Sequence, residues 1–420
     1  MGRRLPRERI SPTSDRRADC IPHPFKRACP VLEPVGATGG GPKKYLEPES
    51  QDGMERSPPT SLVTRFARSV LTQTLHVKPG ENVVIEGWSH SLPWATALAR
   101  ETRRLKAFPV VLYEDEDAFW DSVDSREENL LGAAPAHEWA MLGKTDVYIH
   151  MWGAGDKIRL AQLPPARSSK IFSWNDAWYK AAGKSGLRGA RLEIGRPFPT
   201  LAKLYGVDLD EWTRQVAEAS MVDPQKMLAA ARPLAAALQK GRKLRIYDDH
   251  GTDLTLGLAH REAVTNAGIV LPADLKKPFR MLTTLPGGFV TAALNESVAE
   301  GTFVSNRSCY TDSGTATGVK MEFRNGRMVS QKFTTGEELF KGSYAKGGKG
   351  RDQPGQIRIG LNPKLHNTPQ IEDCEAGAVT FSVGMNRFSP GGKNRSSYFG
   401  FAVNAGATVE IDGKALPMPH

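Results

Sequence analysis

Asn82-Val83-Val84-Ile85-Glu86-Gly87 is a short apolar run, set off by Pro79-Gly80 before it and closed by a glycine. A run of this length between turn signals reads as a buried strand. Upstream of it, Leu62, Val63, Phe66, Val70, Leu71 and Leu75 recur at helical spacing from Ser61 onward. Downstream, a helix carrying Trp94, Ala97, Leu98 and Leu105 leads to a second strand, Phe108-Pro109-Val110-Val111-Leu112-Tyr113. A helical region around 126–142 then leads to a third, Asp146-Val147-Tyr148-Ile149-His150. Short apolar strands alternating with helices predict an open, mostly parallel α/β sheet covered on both faces.

Between 155 and 240 the chain turns helical. Asp208-Leu209-Asp210-Glu211-Trp212 opens one helix with acids in its first turn, where the helix dipole favours negative charge. The alanine-rich stretch 226–239 forms another and ends at Lys240-Gly241. Beyond it the pattern becomes one of short strands between Gly, Asn and Asp turns: Leu244–Tyr247, Leu254–Leu258, Phe289–Ala292, Gly301–Ser305, Val319–Arg324, Arg327–Phe333, Ile357–Leu361, Ala378–Val383, Ser397–Val403 and Thr408–Ile411. Asn325-Gly326 is a two-residue hairpin signal. The expected organisation is a tail over 1–60, an α/β domain over 61–190, a helical connector over 191–242 and a β-rich domain over 243–420.

Composition narrows the function classes. With 420 residues and 40% hydrophobic content, the chain has ample material for a core. No stretch approaches the roughly 18–20 apolar residues of a membrane-spanning helix. The net charge of +10 does not form a basic stripe interleaved with aromatics, which argues against nucleic-acid binding. Part of it lies in the first sixty residues, which hold 11 Lys/Arg against 8 Asp/Glu. That segment also holds ten of the 29 prolines and no periodic apolar face, so it is expected to be disordered. Met54 directly precedes the first periodic segment and is read as the natural start. Cys20, Cys29, Cys309 and Cys374 show neither CxxC spacing nor disulfide density, a usage that fits a reducing cytoplasm.

Seven elements occur in one order: Val77-Lys78-Pro79-Gly80-Glu81-Asn82-Val83-Val84-Ile85, Gly251-Thr252-Asp253-Leu254, Leu285-Pro286-Gly287-Gly288, Ser297-Val298 with Gly301-Thr302, Ile359-Gly360-Leu361-Asn362-Pro363, Ile371-Glu372-Asp373 and Gly391 to Ser397. In this the chain resembles the thermophilic metallo-aminopeptidases of the aminopeptidase T and S type, from about residue 60 to the C-terminus. The resemblance implies an N-terminal α/β domain and a C-terminal β-rich domain that holds a two-metal site and builds a homodimer. It also implies metal ligands, two glutamates, two histidines and an aspartate. Such a pair of cations generates a hydroxide nucleophile and polarises the peptide carbonyl. Carried over position by position, the ligands are missing. The family's first Glu falls on Phe289, its second on Gln356 and its first His on Thr380. The final His-x-Asp falls on Phe399 and Phe401, or on Tyr398 and Gly400 with a shift of one. The family's nearby tyrosine has only Arg387 or Phe388 as counterparts. The resemblance extends to dihydroxypyridine ring-cleaving dioxygenases, whose His and Asp iron ligands are likewise unmatched. No metal and no cofactor are therefore expected.

Other clusters have plainer readings. Asp248-Asp249-His250-Gly251-Thr252-Asp253 is either an acid–base or metal loop or a polar turn between strands, and the family's Gly-Thr-Asp-Leu turn favours the second. Glu114-Asp115-Glu116-Asp117 follows a strand, where such sheets bind ligands, but four acids at a helix start also form a solvated cap. Cys374 lacks an adjacent histidine and reads as a buried thiol. His76, His90, His137 and His150 fit no pattern. The former metal region keeps Gln356, Glu372, Asp373, Thr380, Arg387, Asn394, Arg395 and Tyr398, with Phe289, Phe399 and Phe401 as aromatic walls. Arginines bind carboxylates bidentately, and Arg395 is the expected anchor for a small carboxylate-bearing ligand. The expectation is a cytoplasmic, homodimeric relative of these aminopeptidases that binds or acts on a small molecule without the two-metal mechanism. The alternatives are an active metal-dependent leucyl-type aminopeptidase and a non-catalytic homodimer that binds a protein partner.

Overall fold

The run around Val84 becomes β1 (Asn82–Trp88), flanked in a parallel sheet by β2 (Phe108–Glu114) and β3 (Val147–Met151). This computed structural model describes residues 60–419 except 129, 134, 135, 172, 174, 278 and 279. The expected tail, with Cys20, Cys29 and Met54, lies outside the described residues. β4 (Arg188–Leu192) extends the sheet beside β3, inside a region expected to be all helix. Its two arginines break up the apolar signal. Arg188 is tied down by Glu81 at 2.7 and 3.0 Å and by the Leu75 carbonyl at 2.6 Å.

The second half supplies β5 (Lys243–Tyr247), β6 (Asp253–Leu258), β7 (Val264–Asn266), β8 (Leu282–Leu285), β9 (Phe289–Val304), β10 (Cys309–Thr311), β11 (Gly314–Ala316), β12 (Lys320–Arg324), β13 (Arg327–Lys332), β14 (Pro354–Gly360), β15 (Ala378–Gly384), β16 (Phe399–Ala405), β17 (Thr408–Ile411) and β18 (Lys414–Ala415). Most of these build one antiparallel sheet with the path β16-β15-β14-β9-β6-β5-β17-β18. β9 is a single 16-residue strand where two were expected. The Asn325-Gly326 turn joins β12 to β13 with φ of 49° and 75°, as a primed turn requires. β8 departs from the expected domain line: it leaves the antiparallel sheet and pairs with β4, giving the parallel order β2-β1-β3-β4-β8. At four residues, half of them threonine, it carries no apolar run.

Helices Leu92–Arg104 and Leu209–Ser220 cover one face of the parallel sheet around Phe66, Leu98 and Trp212. That core continues into Tyr310, Leu365, Ile371 and Cys374 of the second half. A second core, around Phe303, Phe323 and Phe381, backs the antiparallel sheet. The junction is made by family-motif residues. Gly288 has φ 136°, and a Cβ there would stand 2.7 Å from that of Asn362. The close approach lets Leu361 donate to the Gly288 carbonyl at 2.8 Å, while Asn362 Nδ2 donates to Gly287 at 2.8 Å and to Ala219 of the connector at 3.0 Å.

The acidic clusters take their plainer readings. Asp115 caps the helix Glu116–Ser125, and Glu116 accepts from the Gly155 and Asp156 amides at 2.8 and 3.1 Å. Asp248 accepts from the His250 and Thr252 amides within its own turn, and Asp253 pairs with Arg245. Among the described residues no helix is long and apolar enough to cross a membrane.

Candidate functional site

Alternation in β14, β15 and β16 turns one set of side chains into the core and the other out of it. Ile357, Ile359, Val379, Phe381 and Ala402 point inward and are fully buried. Gln356, Arg358, Thr380, Ser382, Phe399 and Phe401 share the opposite face, with Arg358 opposite Thr380 and Ser382 opposite Phe401 in register. These six residues floor a cavity of about 530 Å³. Its other walls come from Tyr310, Thr311, Asp312, Gln370, Glu372, Asp373 and Arg196.

Of the residues expected at the site, Gln356, Glu372, Asp373, Thr380, Phe399 and Phe401 line this cavity. Phe289 lies beneath it, its ring carrying the Arg358 guanidinium at 4.0 Å. The other four, Arg387, Asn394, Arg395 and Tyr398, lie elsewhere. Arg387 is exposed and rests over Phe388 at 4.8 Å. Arg395 is exposed because its neighbours, not itself, are anchored: Asn394 donates to Gly350 at 2.8 Å and Ser396 to Gly347 at 2.7 Å. Tyr398 is packed in the antiparallel core, where its hydroxyl donates to Gln331 at 3.1 Å and burial pushes its pKa up to about 12. The cations at the cavity are instead Arg358 and Arg196. Arg358 stands two residues from Gln356, so the strand period marks it. Arg196 arrives from the end of β4 by tertiary packing and carries no local signal.

The two arginines differ in what they have left to offer. Arg196 is locked: it pairs with Glu193, donates to Gln370 at 2.7 Å and stacks over Trp152 at 4.4 Å. Gln370 in turn donates to Tyr205 at 2.7 Å and to Asp312 at 2.6 Å. Arg358 pairs through Nη1 with Asp373, while its Nε is buried without a hydrogen-bond partner among the described residues. Two more buried polar atoms are unpartnered in the same way, Thr380 Oγ1 and Glu372 Oε2. Glu372 accepts from the Tyr310 amide at 3.0 Å through its other oxygen. Burial, reinforced by the adjacent Asp373 carboxylate, raises its pKa to about 8, so at neutral pH it is mostly a hydroxyl donor. Cys374 stays a thiol, its pKa raised well above the ordinary range by burial and Asp373. Three orphaned polar atoms, all on residues that line one cavity, make a candidate set of hydrogen-bond partners for a ligand.

The fold resembles two solved structures. Wild-type AmpT from Thermus thermophilus superposes with a TM-score of 0.62 at 18% identity, covering 85% of this chain and 97% of that one. The 2,5-dihydroxypyridine dioxygenase from Pseudomonas putida KT2440 gives 0.56 at 17% identity, covering 86% and 96%. No curated protein matches the chain. The profile of the thermophilic metalloprotease family, M29, matches residues 60–346, well over half of the sequence, and the chain belongs to that family.

Proposed function

We propose that this M29 relative binds, and acts on if it is catalytic, a small carboxylate-bearing molecule in the Arg358 cavity, without the two-metal peptidase mechanism. The observation that carries the reading is the unspent Nε–Nη2 edge of Arg358. Nη1 is committed to Asp373, and the guanidinium plane is fixed on the Phe289 ring. The remaining edge is a fork suited to a carboxylate, with the Glu372 hydroxyl and Thr380 Oγ1 beside it as further partners.

The family's metals do not fit this donor set. Among the described residues no three His, Cys, Asp or Glu side chains converge to hold an ion. Asp373 is engaged by Arg358, Glu372 is held largely protonated, and Gln356 and Thr380 are neutral. Two cations about 3.5–4 Å apart need anionic or imidazole donors, which these residues do not supply. The cytoplasmic setting and the homodimer implied by the resemblance belong to the same proposal.

A thermal-shift panel of monocarboxylates, dicarboxylates and amino acids, each beside its amide, tests the reading. Carboxylates should raise the melting temperature and amides should not. Arg358→Lys keeps the charge but loses the fork, and should weaken the best ligand by about one to two decades, the worth of a partly desolvated charge-assisted pair. If no carboxylate shifts the wild type at millimolar concentration, or if Arg358→Lys binds as well, the proposal fails.

A further inference from the structure

The parallel sheet has a cavity of its own, about 360 Å³, on the face away from the Phe66 core. It lies at the carboxyl ends of β1, β3 and β4. The order β2-β1-β3-β4-β8 reverses direction between β1 and β3, and open α/β sheets bind ligands in the crevice at such a switch point. Register places Glu86, His150 and Arg191 side by side across β1, β3 and β4. One oxygen of Glu86, Oε2, takes both the Tyr148 hydroxyl at 2.7 Å and His150 Nδ1 at 3.1 Å. Among the described residues the other oxygen, Oε1, accepts nothing, although the side chain is 24% accessible. Arg191 lies 5.5 Å over the Tyr179 ring and, among the described residues, donates no hydrogen bond. Trp88, 8% exposed, has a buried indole N–H without a partner among the described residues. The remaining walls are aromatic, with Phe119 edge-on to Trp88 at 5.1 Å and Trp178 edge-on to Tyr148 at 5.0 Å.

An unspent carboxylate oxygen and an unspent guanidinium thus end one cross-strand row, over which an aromatic cavity is built. Their backbones stand two strands apart, about 10 Å, a span that two long side chains shorten to the reach of a dipeptide. We propose that this cavity is a second binding site, independent of the Arg358 cavity, for a small aromatic zwitterion of dipeptide length. The ligand's ammonium group meets Glu86 Oε1, its carboxylate meets Arg191, and its ring lies against Trp88, Phe119 and Trp178. The charge of Glu86 also reaches Glu114 and Glu138, partly offset by Arg126 and His137, so the ammonium end enters an acidic field.

Isothermal titration of the full chain with tryptophyl-glycine, tryptamine and indole-3-propionate tests this. Tryptophyl-glycine should bind about tenfold or more tighter than either one-ended probe, the worth of one charge-assisted contact. Glu86→Gln should reduce it to the level of indole-3-propionate, and Arg191→Gln to that of tryptamine. Phe119→Ala removes a wall ring without touching either charge and should weaken all three probes. Arg358→Lys should change none of them, which keeps the outcome separate from that of the other cavity. No heat at millimolar dipeptide, a one-ended probe that binds as tightly, or loss of binding on Arg358→Lys would each overturn the proposal.

Discussion

Glu372 sets a pH dependence whose sign follows from its surroundings. Burial, then Asp373, raises its pKa from 4.5 to about 8. Between these values the unfolded chain releases the proton and the native chain keeps it, so stability falls as pH rises from 4.5 to about 8 and then levels. Glu372→Gln keeps an acceptor for the Tyr310 amide and cannot ionise. Its melting temperature should match the wild type near pH 4.5 and exceed it by a widening margin up to about pH 8. Melting curves that stay parallel over that range would show that burial of this carboxyl does not hold its proton. The same residues show what was legible at the site. Gln356 and Thr380 are each one strand period from a further lining residue, Arg358 and Ser382, so period two extends the reading without new information. Chain order instead puts Arg395 in the carboxylate role, because a loop between two anchored neighbours gives no sign of which way its middle residue faces.

Asn362 decides how the elements join. Its buried amide satisfies the carbonyls of Gly287, at the entry to β9, and of Ala219, at the end of the connector helix Leu209–Ser220. Asn362→Leu leaves the Gly287 carbonyl buried and unpaired, at about 1–3 kcal/mol, while the Ala219 carbonyl keeps the Met221 and Val222 amides of the helix end. The variant should therefore lose roughly 1–3 kcal/mol in denaturant unfolding while its folded fraction still binds the Arg358-cavity ligand. A loss under about 0.5 kcal/mol, within surface-substitution range, would mean that water replaces the amide at no cost. The family motifs thus act as joints between elements. Where strands carry unbroken apolar runs, as β1 and β3 do, the sequence shows them directly. β4 and β8 are hidden because their burial is imposed by neighbours: Arg188 is neutralised by Glu81, and Leu282–Leu285 gains its place only by pairing with β4. The helix Glu337–Lys346 is missed for the same reason, since a single buried residue, Phe340, anchors it.

At the scale of the whole molecule, family membership and the chemistry of the cavity pull apart. The M29 family match carries the expectation of a metal-dependent enzyme. The charged groups lining the cavity are Arg196, Arg358, Asp312, Glu372 and Asp373. With Glu372 protonated, the two guanidinium groups balance the two remaining carboxylates. Two divalent cations would add four positive charges to a cavity with no net negative charge and no imidazole. Desolvation would oppose that binding, and nothing on the walls would repay it. The protein purified without chelator should therefore contain no stoichiometric divalent metal by elemental analysis. A chelator should leave its melting temperature unchanged, because with no metal bound there is no binding free energy linked to folding for it to remove. Leucine p-nitroanilide should not turn over with added zinc, cobalt or manganese. A metal-dependent melting temperature, or turnover that follows the added cation, would return the chain to the two-metal aminopeptidases and leave Arg358 as a wall of their site.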